Sequence, residues 1–309
     1  MRSIRVFLTD VCNANCKNCL NQALRTSSTY MNKEKFKQLC SHFQDNNVLG
    51  IKIMGGEPTL HPDFSEFLQI AQSHFKKVSV FTNSINDQIC KFKPRETDGI
   101  SYNFRFHQHI TPQKMLLDYP GYRSFEIVID KHSDDKQIIH DVLAMSKRFE
   151  GRPIAMLTID CTSRIFHDKE LIVSKFENIY QQLVDNGMRV DIDHAMPFCF
   201  TYGTKIPIHS KGALCNPDCS GLIDANFNLH YCNQTHEILI NLFENDQIIP
   251  FKIIENYIQM YYCHRQLKAL KKICVNCMLY NTICNGGCYI TKDINTSDDI
   301  LMNTKFPVI

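Results

Sequence analysis

The sequence lacks the features that point to a membrane or to a nucleic acid. It has no run that approaches the ~18 apolar residues of a membrane span, and its apolar stretch at the N-terminus is far too short for a signal peptide. Its charges nearly cancel, with 34 Lys and Arg against 32 Asp and Glu, and no long basic or acidic run occurs. We therefore expect a cytoplasmic protein that binds neither membranes nor nucleic acids.

Cysteine, by contrast, is abundant, with 15 cysteines in 309 residues. Disulfides are rare in a reducing cytoplasm, so this number favours ligation of a metal or cluster over cross-linking. Cys12, Cys16 and Cys19 lie close together, in the order Cys-x3-Cys-x2-Cys. A four-iron, four-sulfur cluster is normally held by four thiolates, so three thiolates would leave one iron with an open position.

Segments rich in β-branched and aromatic residues alternate with amphipathic helical patterns along the first two thirds of the chain. The predicted strands are residues 4–9, 49–54, 78–82, 100–106, 125–130, 154–160 and 188–193. The predicted helices are residues 33–45, 62–75, 134–149 and 169–186, with Asn32 as the N-cap of the first. This alternation predicts an α/β fold with a parallel sheet. A partial (β/α)6 barrel would leave one of the predicted strands over, and an open doubly wound sheet is the alternative.

The alternation stops near residues 201–212, where Gly, Pro, Lys and Ser become frequent. We place a domain boundary there, between residues 1–210 and residues 211–309. In both candidate architectures the functional residues gather at the carboxyl ends of the parallel strands. The cysteine triplet follows the first predicted strand and the sequence GGEP follows the second, so we expect both at this edge of the sheet.

The GGEP turn has the chemistry to bind an amino-acid moiety. Gly55 and Gly56 would let the backbone approach a ligand closely, and Pro58 would stiffen the turn. The N–H groups of the glycines and the carboxylate of Glu57 could receive the carboxylate and ammonium groups of a methionine moiety. By itself GGEP is equally typical of an ordinary turn after a strand, and its pairing with the cysteine triplet favours the binding role.

The CxxxCxxC spacing after the first strand, with GGEP after the second, resembles the radical S-adenosylmethionine (SAM) superfamily. The resemblance implies that Cys12, Cys16 and Cys19 bind a [4Fe–4S] cluster whose fourth iron takes the amino and carboxylate groups of SAM. One electron, from a flavodoxin- or ferredoxin-type donor, would cleave SAM to methionine and a 5′-deoxyadenosyl radical. This radical would abstract a hydrogen atom from a substrate.

Two details near these motifs differ from the family's usual form. Asn18 stands before the third cysteine, where the family usually has an aromatic residue. Thr82-Asn83 resembles the start of a family Thr-Asn-Gly stretch, with Ser84 in place of glycine. The resemblance implies that Asn83 contacts SAM, and a turn-forming asparagine is the alternative.

The C-terminal cysteines occur as close pairs separated by longer stretches, which is typical of a zinc or iron–sulfur site. CVNCMLYNTICNGGC resembles the SPASM extension of radical SAM enzymes. CSGLIDANFNLHYC resembles its upstream hairpin, with Phe227 where the family prefers glycine. The resemblance implies a first auxiliary cluster on Cys215, Cys219, Cys232 and Cys288. It implies three ligands of a second on Cys274, Cys277 and Cys284. No cysteine follows Cys288 to complete the second cluster, so the one-cluster twitch arrangement stays open.

The resemblance implies an enzyme that acts on a ribosomally made peptide by crosslinking, epimerisation or oxidation, with a carbohydrate or aminoglycoside as the alternative substrate. The chain begins at its first predicted strand, so we expect no separate leader-peptide-binding domain at that end. Near the radical, Cys161 or Cys199 could donate a hydrogen atom and Asp193 could act as an acid or base, while simple burial is the alternative for the two thiols. A non-enzymatic zinc or iron–sulfur protein is the competing class, and it would leave GGEP unexplained.

Overall fold

The computed structural model describes residues 3–16, 19, 21, 24, 28–104, 120–149, 153–159, 168–192, 204, 206, 221–232 and 237–268. The strands are β1 (Ser3–Phe7), β2 (Gly50–Met54), β3 (Lys77–Thr82), β4 (Gly99–Phe104), β5 (Tyr122–Ile129), β6 (Ile154–Ile159), β7 (Arg189–Ile192), β8 (Leu222–Ile223), β9 (Asn228–His230), β10 (Ile238–Asn241), β11 (Phe243–Glu244) and β12 (Gln247–Ile248). The α-helices are α1 (Lys33–Asp45), α2 (Phe64–His74), α3 (Asp135–Ser146), α4 (Lys169–Asp185) and α5 (Phe251–Lys268). Within these residues, no helix combines the length and apolar character needed to span a membrane.

Strands β1 to β7 lie side by side in the order of the chain, and each pairs in parallel with the next. Their order never reverses, so the sheet is wound in one direction, as in a barrel. A doubly wound sheet would contain a point where the strand order reverses. Because crossovers between parallel strands are right-handed, successive helices pack on the same face of the sheet. The predicted α/β fold with a parallel sheet is confirmed, and the seven strands of this row are one more than a six-stranded barrel contains.

Helix α1 shows why the helices lie where the sequence predicts them. It has the predicted bounds, and Asn32 Oδ1 accepts a hydrogen bond from the Lys35 N–H at 3.0 Å, as an N-cap does. One face of the helix is apolar and packs into the core beneath the sheet. The buried residues of this face are Phe36, Leu39, Cys40 and Phe43.

A hairpin extends the parallel sheet beyond β1. Strand β8 pairs in parallel with β1, with Val6 opposite Ile223, and β9 turns back antiparallel to β8. This is the hairpin that the sequence CSGLIDANFNLHYC predicts. Asp224 Oδ1 closes its turn by accepting the N–H groups of Asn226 and Asn228 at 2.9 and 2.8 Å. The predicted domain boundary near residue 210 lies outside the described residues.

Candidate functional site

Three segments leave the sheet at the carboxyl ends of neighbouring strands. The cysteine loop follows β1, residues 55–58 follow β2, and Asn83 follows β3. Because these three strands are parallel neighbours, the segments lie together at one edge, which we call the carboxyl edge. The structure thus brings the cysteine triplet and the GGEP turn together as the sequence predicts.

The chain leading into the cysteine loop is held from the side by residues before α1. Thr9 Oγ1 donates to the Thr29 carbonyl at 2.7 Å, and Asp10 Oδ1 accepts the Thr29 N–H at 2.9 Å. The Val11 N–H donates to Thr9 Oγ1 at 3.1 Å. Since Thr9 and Asp10 are both buried, these bonds fix the point at which the loop begins.

The cysteines of the loop are accessible, and a backbone N–H is directed at the sulfur of one of them. Cys12, Cys16 and Cys19 are each partly exposed. The Ala14 N–H donates to Cys12 Sγ at 3.4 Å. Three accessible thiols on one loop, with an amide N–H directed at a sulfur, are a donor set that fits an iron–sulfur cluster. In the described part of the chain, no three His, Cys, Asp or Glu side chains meet closely enough to hold a single metal ion.

The glycines of the GGEP turn pack against the backbone that leads into the cysteine loop. The Gly56 N–H donates to the Thr9 carbonyl and the Glu57 N–H to the Val11 carbonyl, each at 2.8 Å. A Cβ at Gly56 would lie 2.3 Å from the Val11 oxygen, and one at Gly55 would lie 2.4 Å from the Thr9 oxygen. The glycines therefore permit a close approach between two backbone segments. The Gly56 N–H, which the sequence predicts to receive a ligand carboxylate, donates to the Thr9 carbonyl in this structure, and its contact with a ligand stays a prediction.

The carboxylate of Glu57 is buried, with 1% of the residue exposed. Its Oε1 accepts the hydroxyls of Thr59 and Thr82, both at 2.7 Å, and its Oε2 accepts the Asn83 N–H at 2.7 Å. Burial raises the pKa of the Glu57 carboxyl, although the bonds from Asn83, Thr59 and Thr82 oppose that shift. In this structure the carboxylate joins the GGEP turn to the end of β3. Its binding of a ligand ammonium stays a prediction.

Pro58 begins a short 3-10 helix, Pro58–Leu60, which Glu57 caps with its side chain. The fixed φ of proline suits this first helical position, so the predicted stiffening of the turn has a structural basis. After the helix, His61 Nε2 lies 3.1 Å from the Met31 carbonyl. The GGEP turn is thereby fastened to the segment before α1, which also holds the start of the cysteine loop.

Asn83 connects the end of β3 to the cysteine loop. Its Nδ2 donates to Asn13 Oδ1 at 2.9 Å and to Cys12 Sγ at 3.8 Å. Its Oδ1 accepts the Ile85 N–H at 3.0 Å. The Ile85 bond identifies the oxygen of the amide, so the nitrogen must face Cys12. Asn83 therefore lies at the site as expected, and it contacts one of the predicted cluster ligands.

The backbone at Ser84 has a φ of 58°, in the left-handed region that glycine adopts without strain. The Thr-Asn-Gly resemblance implies a glycine at this position, and the chain adopts the conformation that glycine favours. The Ser84 hydroxyl is buried and has no hydrogen-bond partner among the described residues. Phe227, where the hairpin resemblance also implies a glycine, has a φ of 64°.

Several predicted site residues lie outside the described residues. They are Cys161, Asp193, Cys199, Cys215, Cys219, Cys274, Cys277, Cys284 and Cys288. Cys232 is described, partly exposed, and follows β9. Because β8 is parallel to β1 and β9 is antiparallel to β8, Cys232 lies toward the amino ends of the parallel strands. Arg5 Nη2 donates to the Tyr231 carbonyl at 3.2 Å, in agreement with this placement. Cys232 therefore lies toward the edge opposite the cysteine loop.

A row of polar side chains on one face of the sheet was not predicted. Ser124 Oγ donates to Glu126 Oε1 at 3.1 Å on β5. Asn103 of β4 lies beside Glu126, and Asp191 of β7 lies farther along the same row. Parallel strands that are covered on both faces usually have continuous apolar sequences. The alternating polar residues of GISYNF and YRSFEIVI are the sequence signal for this row, in which Asn103, Glu126 and Asp191 are partly exposed.

Comparison with known protein families gives a match at the cysteine loop. Residues 2–101 match the family described as a 4Fe-4S single cluster domain. This region contains the cysteine triplet, the GGEP turn and Asn83. The residues that form the candidate site therefore lie within the matched region.

Curated relatives match parts of the chain. The GTP 3′,8-cyclase of Vibrio parahaemolyticus is 31% identical over 177 residues, covering 51% of this chain and 53% of the relative. The GTP 3′,8-cyclase of Vibrio vulnificus is 27% identical over 128 residues, 34% of this chain and 38% of the relative. The subtilosin biosynthesis protein AlbA of Bacillus subtilis is 37% identical over 76 residues, 25% of this chain and 17% of the relative. The chain thus spans about half the length of these relatives or less.

Solved structures resemble the fold of nearly the whole chain. SuiB of Streptococcus suis, bound to its precursor peptide SuiA, superposes with a TM-score of 0.65 at 16% identity, covering 94% of this chain and 72% of SuiB. The enzyme anSMEcpe, bound to AdoMet and the Cp18Cys peptide, superposes with a TM-score of 0.63 at 14% identity, covering 95% and 91%. The fold, the cysteine loop and the match of residues 2–101 to a 4Fe-4S single cluster domain agree with one another, and this part of the chain is similar to radical SAM proteins.

Proposed function

We propose that this chain is a radical SAM enzyme that holds a [4Fe–4S] cluster on Cys12, Cys16 and Cys19, binds SAM beside it and modifies a peptide. When bound, the cluster and SAM together supply a 5′-deoxyadenosyl radical that abstracts a hydrogen atom from the substrate. One observation carries the proposal. A single hydrogen-bonded network at the carboxyl edge joins the cysteine loop, the GGEP turn and Asn83.

The residues of the chain act mainly by holding positions. The N–H groups of Gly56 and Glu57 fix the backbone that leads to Cys12, and the Glu57 carboxylate fixes the end of β3. SAM contacts are assigned to residues 55–58 and to Asn83. Electrons would come from a flavodoxin- or ferredoxin-type donor.

The C-terminal region is proposed to be a SPASM-type or twitch-type module with auxiliary iron–sulfur clusters. The proposed ligands of the first cluster are Cys215, Cys219, Cys232 and Cys288, and those of the second are Cys274, Cys277 and Cys284. The placement of Cys232 toward the edge opposite the cysteine loop supports sites that are separate from the triplet. Because the ligands would come from different segments, metal binding would also stabilise the fold of this region.

A peptide is the favoured substrate. SuiB and anSMEcpe share the fold and were crystallised with peptides, and AlbA is named for bacteriocin biosynthesis. The matches to GTP 3′,8-cyclases favour a nucleotide as the second candidate. For an epimerisation, Cys161 or Cys199 would supply the hydrogen atom and Asp193 would serve as the acid or base.

The test is anaerobic reconstitution with iron and sulfide, followed by SAM and dithionite, with 5′-deoxyadenosine measured by chromatography. The wild-type protein should form it. A variant with Cys12, Cys16 and Cys19 changed to Ala should form none, yet should keep the iron bound at the auxiliary sites. Cys90→Ala is the matched control, because Cys90 is an exposed thiol on the separate short helix Asp87–Lys91. This control should form as much product as the wild type.

Two results would contradict the proposal. A wild-type protein with a loaded cluster that cleaves no SAM is not a radical SAM enzyme. Loss of all iron in the triple variant would contradict separate cluster sites. The neighbouring genes are searched for a short peptide reading frame. The substrate is then tested with that peptide in deuterated form and, separately, with GTP deuterated on the ribose. Deuterium in 5′-deoxyadenosine from GTP alone would refute the peptide assignment.

A further inference from the structure

The sulfur of Cys12 accepts hydrogen bonds from two amides of this chain. The Ala14 backbone N–H lies 3.4 Å from Sγ, and the Asn83 side-chain Nδ2 lies 3.8 Å from it. The first donor belongs to the loop itself and is present for any residue at position 14 except proline. The second comes from the end of β3, 71 positions away in the chain, and depends on the residue type.

The amide of Asn83 has little freedom to turn away from Cys12. Its two Nδ2 hydrogens are directed at different acceptors, Cys12 Sγ and Asn13 Oδ1. Its Oδ1 is held by the Ile85 N–H, and its backbone N–H is held by the buried Glu57 carboxylate. Asn83 is itself only 7% exposed. The donor is therefore preorganised, because three further bonds position the one that reaches the sulfur.

We propose that Asn83 is a positioning residue that keeps an N–H···S bond on Cys12 and thereby raises the reduction potential of the cluster. This inference rests on the proposed function. Reduction adds negative charge to a cluster and its thiolates, and a hydrogen-bond donor stabilises the more negative state. Hydrogen bonds to the sulfurs are among the factors that set the potential of iron–sulfur clusters. Asn83 thus serves electron entry in addition to any contact that it makes with SAM.

The experiment measures the cluster potential by redox titration followed by electron paramagnetic resonance, on the full-length reconstituted protein without SAM. Asn83→Asp is nearly isosteric and keeps an oxygen for the Ile85 N–H, but it places a carboxylate oxygen where Nδ2 was. Asn83→Ala removes the donor without adding charge. At a fixed potential we expect the ratio of reduced to oxidised cluster to fall about threefold in Asn83→Ala and about tenfold in Asn83→Asp, the latter being about 59 mV for a one-electron couple.

Asn86→Ala is the matched control, because Asn86 caps the next short helix by accepting the Gln88 N–H. It should leave the potential unchanged. A reduction potential that falls in the order wild type, Asn83→Ala, Asn83→Asp supports the proposal. If Asn83 served only to hold neighbouring segments together, the smaller alanine would be the more disruptive change. Loaded Asn83 variants with wild-type potentials would overturn it. Asn83 variants that bind no iron while Asn86→Ala binds it would also overturn it. A wild-type protein that forms no reducible cluster would instead be a failure of the proposed function.

Discussion

Replacing Ser84 by glycine is expected to stabilise the protein, although the change removes a buried side chain. Ser84 is fully buried, and its φ of 58° is one that L residues other than glycine adopt with strain. Its hydroxyl has no hydrogen-bond partner among the described residues. Both features raise the free energy of the folded state, so removal of both should increase the free energy of unfolding.

An alanine variant separates the two contributions. Ser84→Ala removes the hydroxyl and should raise the free energy of unfolding by about 1 kcal/mol. This is the lower end of the cost of an unsatisfied buried group, because loss of the hydroxyl also removes some packing contacts. Ser84→Gly also removes the Cβ. Relief of the strain in the left-handed backbone contributes about 1–2 kcal/mol. This exceeds the entropic cost of introducing glycine, which is about 0.5–1 kcal/mol. The glycine variant should therefore be about 1.5–2 kcal/mol more stable than the wild type.

Phe227 provides a comparison with the same backbone conformation and the opposite expected outcome. Its φ is 64°, but its ring is buried and packs edge-on against Phe243 with 4.9 Å between the ring centroids. Removal of a buried phenylalanine side chain costs about 3–5 kcal/mol. Relief of backbone strain returns about 1–2 kcal/mol. The added glycine costs about 0.5–1 kcal/mol of backbone entropy, as it does at Ser84. Phe227→Gly should therefore lower the free energy of unfolding by about 2.5–4 kcal/mol.

Urea unfolding followed by circular dichroism, at equal cluster loading, measures all three variants against the wild type. Midpoints should shift upward for both Ser84 variants and downward for Phe227→Gly, with unchanged slopes. A destabilised Ser84→Ala would show that the hydroxyl has a partner in solution. A Ser84→Gly variant less stable than Ser84→Ala would refute the argument from backbone strain.

Two further predictions concern the turn at the site and the ion pair between the buried Asp98 and the half-exposed Arg95. Gly56→Ala should cost about 2–3 kcal/mol, the upper part of the range for overpacking, and lower the iron content, because its Cβ would meet the Val11 oxygen at 2.3 Å. Gly50→Ala, with its nearest neighbour at 3.4 Å, should bind iron as the wild type does; equal iron loss in both would contradict the steric argument. Burial raises the pKa of Asp98, but hydrogen bonds from Arg95 and its neighbours outweigh this and lower it. The stability from Asp98 is therefore present above its unfolded pKa of about 4 and lost as the pH falls through the lower folded value. Asp98→Asn should lower the free energy of unfolding by about 2 kcal/mol at pH 7, a value kept small because Arg95 is half-exposed and solvent screens the pair. The variant should also lose less stability than the wild type as the pH falls below about 4. An unchanged loss of stability at acid pH would contradict this assignment.

Much of the fold can be predicted from local sequence patterns. The seven predicted strands and the helices match the structure to within a few residues, and α1 matches at both ends. The cap at Asn32 and the apolar face of α1 are local features, and a period of 3.6 residues identifies them. The cysteine loop and GGEP each follow a predicted strand directly in the sequence. This order predicts that both lie at one edge of the sheet, because parallel strands all end at the same edge.

The roles of single groups at the site depend on neighbours that are distant in the chain. Glu57 is polar and adjacent to glycines, so its sequence context favours a ligand contact. Its burial beneath Thr82 and Asn83 arises because β2 and β3 are adjacent. In the same way the Gly56 N–H is used by Thr9 because β1 lies beside β2.

The sequence by itself determined the parallel α/β architecture, the position of the cysteine triplet after β1 and the pairing of that triplet with GGEP. These follow from periodicity and residue type, which act over a few residues. The tertiary structure alone decided that Glu57 is a buried support, that Asn83 reaches Cys12, and that Cys232 lies toward the opposite edge. Each of these depends on strand order and direction, which bring together residues far apart in the chain.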